Sequence, residues 1–476
     1  MNGSFKIPLL LCLLGVSVSC SSRSTKKIDR PIVLPATGMI HENITGFTDK
    51  DISYALYIPG PSPATAVQDK DKTGAPPVKS LLPVMVLFDP HGSGLLPVRK
   101  YRELADRYQI ILVGSNNAKN GLSIPEINGI LSSVMKEITV YPIDTARIYV
   151  SGFSGGSRVA AIAAGTYPCI KGVIGCGAGL PGGAPSVGRK FDYFGIAGTA
   201  DFNMFEMLRL DEEMTRAGIR HFITTFPGPH AWPPCEVMEE GFGWITLNAM
   251  RDGNLGKNND MITGIMAGFD TRIKGYIHQN HLLAAANACR EAIQFASGLV
   301  PAGKFEKQLE SIKQEPFYAK QVGYRETIMK KEMEEQDVLE KSLLSKDLGW
   351  WKTRVALMDS RNMKGKNPED TLMNARLKAF LSLYCYSLAS AVMLHHEYSD
   401  AEKTIAVYEV ADPPNPEPNY MRAIILAGRS EDDRAMKQLQ VALVKGFTDK
   451  QRMNDQPEFQ PLKSSPAWFD LLKTMK

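Results

Sequence analysis

The chain has 476 residues, of which 44% are hydrophobic and 22% are charged, and its formal net charge is +4 at pH 7. This is the composition of a globular protein, and the length predicts two domains rather than a single core. The small net charge argues against a nucleic-acid-binding protein and against a strongly basic protein of the membrane surface.

Residues 1–20 have the features of an export signal. Lys6 precedes the apolar run IPLLLCLLGVSV, which is too short to span a bilayer. The segment SVSC, which ends at Cys20, resembles a bacterial lipobox, although Ser17 stands where such motifs prefer leucine. We therefore expect an exported protein with a lipid anchor on Cys20 in the bacterial cell envelope or periplasm, with ordinary signal-peptidase cleavage as the alternative. Residues 21–37 are polar and predict a flexible tether.

From about residue 38 to residue 250, short apolar runs alternate with segments of helical length. Eight runs rich in β-branched and aromatic residues predict strands: GMIHENITGF, DISYALYIPG, LPVMVLFDP, QIILVGSNN, RIYVSGFS, IKGVIGCGAG, FDYFGIAGTAD and HFITTFPG. The first two predict a leading hairpin of exposed strands. Segments such as IPEINGILSSVMKEI and MFEMLRLDEEMTRAG predict helices between the later strands. This alternation indicates a mostly parallel sheet with helices on both faces, and eight strands in this order suit the α/β-hydrolase architecture.

After residue 250 the strand signals end, and residues 251–476 predict an all-helical domain. A spacing of small and large apolar residues recurs there after 34 residues, which is the tetratricopeptide period. The recurring positions are Ala401, Ile405 and Tyr408 in the first copy and Ala435, Leu439 and Ala442 in the second. We therefore expect tetratricopeptide-like repeats at about 382–447, against the alternative of a generic helical bundle. Such repeats would offer a surface for a protein partner.

The segment from Gly152 to Gly156 reads GFSGG and fits the G-x-S-x-G pattern of a serine nucleophile at Ser154. The pattern alone also fits a glycine-rich bend in which serine is a small polar filler. Its context favours a nucleophile, because RIYV predicts a buried strand before it and SRVAAIAAG predicts a small-residue helix after it. The N-terminus of that helix would present free N–H groups where an oxyanion forms.

A serine nucleophile needs a base, and the base needs an orienting carboxylate, in the chain order Ser, Asp or Glu, His for this architecture. Asp201 ends a predicted strand and His230 follows the next one, so both are expected at the sheet edge that carries Ser154. Asp201 also suits a helix N-cap, and His230 also suits a turn histidine fixed by prolines. Of the later histidines, His221 lies at the wrong end of its strand and the others lie in the helical region, which favours His230.

The oxyanion hole should combine the amide after the nucleophile with one from the loop after the third strand. These amides belong to Gly155 and, in FDPHGSG, to Gly92 or Ser93. His91 in the same loop is expected to shape it through hydrogen bonds.

The motifs PHGSG, GFSGG, GTAD and GPHAWPP, in this order at strand ends, resemble the α/β-hydrolase superfamily. The closest branch is the esterase D, polyhydroxybutyrate depolymerase and feruloyl esterase-like group, and the resemblance covers about residues 38–250. It implies Ser154 as nucleophile, His230 as base and Asp201 as acid, and hydrolysis of carboxylic esters without a metal or cofactor. Phe202-Asn203-Met204 follows Asp201 where the branch commonly has valine-proline, so the identity of the ester stays open.

Two other functions fit parts of the sequence. Peptidases of the prolyl-oligopeptidase type share the G-x-S-x-G turn and the fold. The large β-rich domain that usually precedes their hydrolase domain is not seen in this sequence, which favours an esterase over such a peptidase. A non-catalytic protein-binding module built on the helical repeats is the other alternative. The ordered Ser, Asp and His favour an enzyme over this module.

Overall fold

The computed structural model describes residues 34–60, 81–183, 191–363 and 368–475. The predicted export signal and Cys20 lie outside the described residues. By compactness the chain divides into a first unit that ends at Gln321 and a second that begins at Val322. The domain boundary predicted at residue 250 stays a prediction.

An eight-stranded sheet lies at the centre of the first unit. Its strands are β1 (Ile40–Thr45), β2 (Ser53–Tyr57), β3 (Leu82–Phe88), β4 (Ile111–Ser115), β5 (Ile143–Phe153), β6 (Ile170–Cys176), β7 (Asp192–Ala200) and β8 (His221–Pro229). Their order across the sheet is β1-β2-β4-β3-β5-β6-β7-β8. The pairs β1–β2 and β2–β4 are antiparallel, and all other neighbours are parallel. The predicted α/β-hydrolase fold class is confirmed.

The leading hairpin differs from the prediction of two exposed strands. β1 is a partly exposed edge strand, but β2 lies between β1 and β4 and is buried from Tyr54 to Tyr57. The alternation of polar and apolar residues therefore predicts the exposure of the edge strand β1 correctly. It does not predict the burial of β2, which lies between two other strands.

Helices cover both faces of the sheet. They are α1 (Leu95–Lys100), α2 (Arg102–Tyr108), α3 (Ile124–Glu137), α4 (Gly155–Thr166), α5 (Met204–Ala217), α6 (Cys235–Arg251), α7 (Asn259–His278), α8 (Leu282–Ala296) and α9 (Gly303–Gln314). Successive side chains of a strand point to opposite faces of the sheet. Val84 and Val86 of β3 are therefore buried in one apolar cluster with α3, α4 and α5. Met85 and Leu87 are buried on the other face, in a cluster with α1, α2 and α6 to α9.

The described part of the second unit is helical. Beyond α10 (Pro316–Ser342), it consists of α11 (Leu348–Met363), α12 (Pro368–Leu394), α13 (Tyr398–Ala411), α14 (Glu417–Gly428), α15 (Asp432–Val444), α16 (Lys450–Asp455) and α17 (Pro466–Thr474), with two short 3₁₀ turns before α17. Ala401 and Ile405 are buried with Ala389 of α12, and Ala435 and Leu439 are buried in a second cluster with α14. The prediction of helices after residue 250 is confirmed, and their assignment as tetratricopeptide-like repeats remains a proposal.

Among the helices that the structure describes, α12 is long and apolar enough to cross a membrane by length and composition. It also carries Arg376, whose guanidinium is fully buried against the carboxylate of Glu332 in α10. It packs against α13 through Ala389 and Val392. These contacts join part of α12 to its neighbours in the helical unit, and 28% of its most apolar stretch is buried.

Candidate active site

Ser154 lies on a sharp turn between β5 and α4. Its φ and ψ angles are 53° and −121°, a conformation that is strained for any residue except glycine. The turn is held by its N–H, which donates to the carbonyl of Cys176 at 2.8 Å. A Cβ at Gly156 would lie 2.0 Å from the carbonyl oxygen of Phe88, so only glycine lets α4 approach the end of β3 this closely.

The structure brings Ser154, His230 and Asp201 together. Nε2 of His230 lies 3.0 Å from Oγ of Ser154, within hydrogen-bond distance. On the other side of the ring, Nδ1 lies 2.9 Å from Oδ1 of Asp201. This second contact has ion-pair distance, but Nδ1 of His230 and Oδ2 of Asp201 are buried without a well-aligned hydrogen bond among the described residues. The side chain of His230 is 18% exposed and that of Asp201 is 1% exposed, so the three residues run from the surface into the protein.

Asn203 holds Asp201 in place. Its backbone N–H donates to Oδ1 of Asp201 at 2.8 Å, and its side-chain amide donates to the carbonyl of Gly177 at 2.7 Å. The N-cap position of α5 is Asn203 and not Asp201, but the side chain of Asn203 makes no capping hydrogen bond, and the carboxylate of Asp201 accepts the N–H of Asn203 just before the helix. This role of Asn203 was not predicted, and its position two residues after Asp201 is the sequence signal that could have indicated it.

Two aromatic rings enclose the imidazole of His230. The ring centroid of Phe153 lies 4.6 Å from that of His230, and the centroid of Phe202 lies 4.3 Å from it. These contacts restrict rotation of the imidazole, which keeps one nitrogen toward Ser154 and the other toward Asp201. Phe202 occupies the position at which the sequence departs from the esterase D-like branch.

Trp232 connects the loop of His230 with the loop that follows β3. Its indole N–H donates to Oδ2 of Asp89 at 2.8 Å, and the backbone N–H of His91 donates to Oδ1 of Asp89 at 2.9 Å. Burial alone would raise the pKa of Asp89, but the hydrogen bonds from His91 and Trp232 outweigh it and keep this pKa below its ordinary value. His91 therefore shapes its loop through hydrogen bonds, as expected.

The predicted oxyanion donors differ in their present hydrogen bonding. The N–H of Gly92 donates to the carbonyl of Asp89 at 3.0 Å and is engaged in a turn. Within the described residues, the amides of Gly155 and Ser93 donate to no acceptor. Gly155 is the first residue of α4, where the N–H groups have no partner inside the helix. Gly155 and Ser93 are thus the predicted donors whose N–H groups are available.

No family model matches the chain, and no curated protein matches it. Similar solved structures include the fluorophosphonate-binding serine hydrolase F of Staphylococcus aureus, with 11% identity, a TM-score of 0.34 and coverage of 44% of this chain and 99% of that chain. An esterase from Pyrobaculum calidifontis has 14% identity, a TM-score of 0.34 and coverage of 45% and 87%. An S-formylglutathione hydrolase from Agrobacterium tumefaciens has 13% identity, a TM-score of 0.33 and coverage of 43% and 93%. Identities this low say nothing about the substrate of this chain.

Proposed function

We propose that the protein is an exported serine hydrolase that cleaves carboxylic esters. The observation that carries this proposal is the continuous set of contacts from Oγ of Ser154 to Nε2 of His230 at 3.0 Å and from Nδ1 of His230 to Oδ1 of Asp201 at 2.9 Å. A nucleophile, a base within hydrogen-bond distance and a carboxylate behind the base are the arrangement that activates a serine hydroxyl.

In the proposed reaction, Oγ of Ser154 attacks the ester carbonyl carbon while His230 accepts its proton. Asp201 holds the imidazole and stabilises the imidazolium that forms. The N–H groups of Gly155 and Ser93 stabilise the negative oxygen of the tetrahedral intermediate. His230 then gives the proton to the departing alcohol, and water repeats the sequence on the acyl-enzyme to release the acid and restore Ser154.

An ester substrate is favoured over a peptide by the resemblance of the four strand-end motifs to the esterase D-like branch. The same three residues would also serve a peptidase of the prolyl-oligopeptidase type, which is the alternative within the enzymes. Parallel assays with p-nitrophenyl acetate and with short peptide amides discriminate between them, because the peptidase alternative predicts turnover of the amides.

Replacement of Ser154 tests the proposal. Ser154→Ala removes the nucleophile, so kcat for p-nitrophenyl acetate should fall by roughly 10⁴-fold or more. Ser297→Ala is the matched control, because Ser297 is an exposed serine just after α8 and should leave kcat unchanged. Undiminished hydrolysis by Ser154→Ala would refute the proposed function.

We further propose that Cys20 is lipidated and anchors the protein to the cell envelope. The intact mass of the mature protein would report the lipid.

A second role as a protein-docking module is favoured by two large apolar residues at helix ends of the second unit. Leu394 at the end of α12 is 80% exposed, and Val444 at the end of α15 is 89% exposed. Tetratricopeptide-like packing of α12 to α15 would give such a module its surface.

A further inference from the structure

A side chain at Gly155 would meet a different kind of atom from side chains at Gly152 and Gly156. A Cβ at Gly152 would meet the backbone of Gly156, and a Cβ at Gly156 would meet the backbone of Phe88. A Cβ at Gly155 would instead lie 1.8 Å from Oδ1 of Asn120 and 3.0 Å from its Cγ. Gly155 has no positive φ angle that would demand glycine. The space beside Gly155 is therefore occupied by one side chain, the carboxamide of Asn120.

Backbone contacts hold Asn120 in this position. Its N–H donates to the carbonyl of Pro90 at 2.8 Å, and the preceding residue, Lys119, forms a β-bridge with His91. The segment 118–121 is thereby attached to the loop that carries the predicted donor Ser93. Asn120 therefore lies between this loop and the turn at Ser154.

The carboxamide of Asn120 lies beside Gly155 without a hydrogen bond to another described residue. The residue is exposed, and its side chain makes no hydrogen bond within the part of the chain that the structure describes. Asn117 in the same loop differs, because its Oδ1 accepts from the N–H of Ser53 at 2.8 Å. The free amide of Asn120 adjoins the residue whose N–H is the predicted oxyanion donor.

We infer that Asn120 contacts the substrate and donates its Nδ2–H to the carbonyl oxygen as that oxygen becomes negative. This inference rests on the proposed function, since it adds a side-chain donor to the amides of Gly155 and Ser93. The oxygen and nitrogen of a carboxamide are assigned from their hydrogen-bond partners, and a half-turn would place Nδ2 instead of Oδ1 nearest to Gly155. A donor to this oxygen interacts most strongly when the negative charge appears in the transition state, so its loss should lower kcat more than it changes KM.

Two substitutions at Asn120 test this role in the full chain. Asn120→Ala removes the donor, and kcat for p-nitrophenyl acetate should fall by about 10²- to 10³-fold with little change in KM. Asn120→Asp keeps the shape but offers only acceptors and a negative charge, so its kcat should fall at least as far. Asn254→Ala, at an exposed asparagine after α6, is the matched control and should leave kcat unchanged.

A third variant tests whether the carboxamide occupies the space beside Gly155. Gly155→Ala should lower kcat strongly in the wild-type background, because the new methyl group displaces Asn120. In the Asn120→Ala background the same substitution should cost much less, since the space is vacant. The melting temperature of each variant is measured beside its kinetics, and it should stay near that of the wild type.

The outcomes separate this inference from the proposed function. A kcat within threefold of wild type for Asn120→Ala, or an active Asn120→Asp, overturns the donor role while Ser154-dependent hydrolysis stands. A fall in kcat matched by a fall in melting temperature means that Asn120 is only structural and also overturns it. If wild type and Ser154→Ala hydrolyse the ester equally, the proposed function fails and the donor role falls with it.

Discussion

The indole of Trp232 links the two loops on which the proposed chemistry depends. It donates to Asp89, which is 3% exposed and which also accepts from the backbone of His91. A buried carboxylate is tolerated when hydrogen bonds compensate for lost hydration, so each donor to Asp89 stabilises the folded state. The same hydrogen bond fixes the distance between the loop of His230 and the loop of Ser93.

Trp232→Phe removes this donor and leaves Oδ2 of Asp89 buried without it. Trp244→Phe is the control, because Trp244 is a buried indole of the same unit whose Nε1 has no hydrogen-bond partner among the residues that the structure describes. We expect Trp232→Phe to lower the free energy of unfolding by about 1–3 kcal/mol more than the control, and to lower kcat. Urea denaturation and ester hydrolysis measure the two effects. Equal losses in the two variants would show that the hydrogen bond contributes nothing.

Among individual residues, the sequence predicted the proposed nucleophile, acid and base. It did not predict the residues that hold the surrounding loops in place. Ser154, Asp201 and His230 were predicted because a nucleophile, an acid and a base must follow in a known order at strand ends. The bond from Trp232 to Asp89 joins residues 143 positions apart, and no local pattern encodes such a contact. Asn120 was missed for the same reason, since its position depends on the pairing of two loops.

The turn at Ser154 depends on two elements, because the start of α4 packs against the end of β3. Small residues on α4 allow this contact: Gly156, Ala160, Ala163 and Ala164 are buried along it. The sequence predicted a helix of small residues here. It did not predict which glycine faces Phe88, because that depends on how the helix is rotated about its axis.

Gly156→Ala should push α4 away from β3, since the new Cβ would lie 2.0 Å from the carbonyl oxygen of Phe88. We expect a loss of about 1–3 kcal/mol in the free energy of unfolding and a marked loss of kcat, because the turn at Ser154 moves with the helix. Gly165→Ala on the same helix meets no atom within 4 Å and should be neutral or stabilising by about 0.5–1 kcal/mol. Urea denaturation of both variants checks this, and equal effects would contradict the proposed packing.

Over the whole molecule, the end of the strand signals does not coincide with the end of the apolar core. Phe269 of α7, Phe295 of α8 and Phe305 of α9 share a cluster with strand residues such as Met85 and Leu87. The sequence predicted the sheet and the helices that follow it, because periodicity reports which element a segment forms. It could not predict which surface those helices cover, because an apolar helical face fits a sheet and another helix equally well.

The central claim is that Ser154 is an activated nucleophile in the folded chain, and reaction with a fluorophosphonate probe tests it most directly. The full-length protein is treated with the probe, digested, and its modified peptides are identified by mass spectrometry. We predict modification of Ser154 in the native protein, and none in urea-unfolded protein or in His230→Ala, because His230 must accept the serine proton. Native protein that hydrolyses esters while Ser154 stays unmodified, or that is modified at another serine, would contradict the assignment.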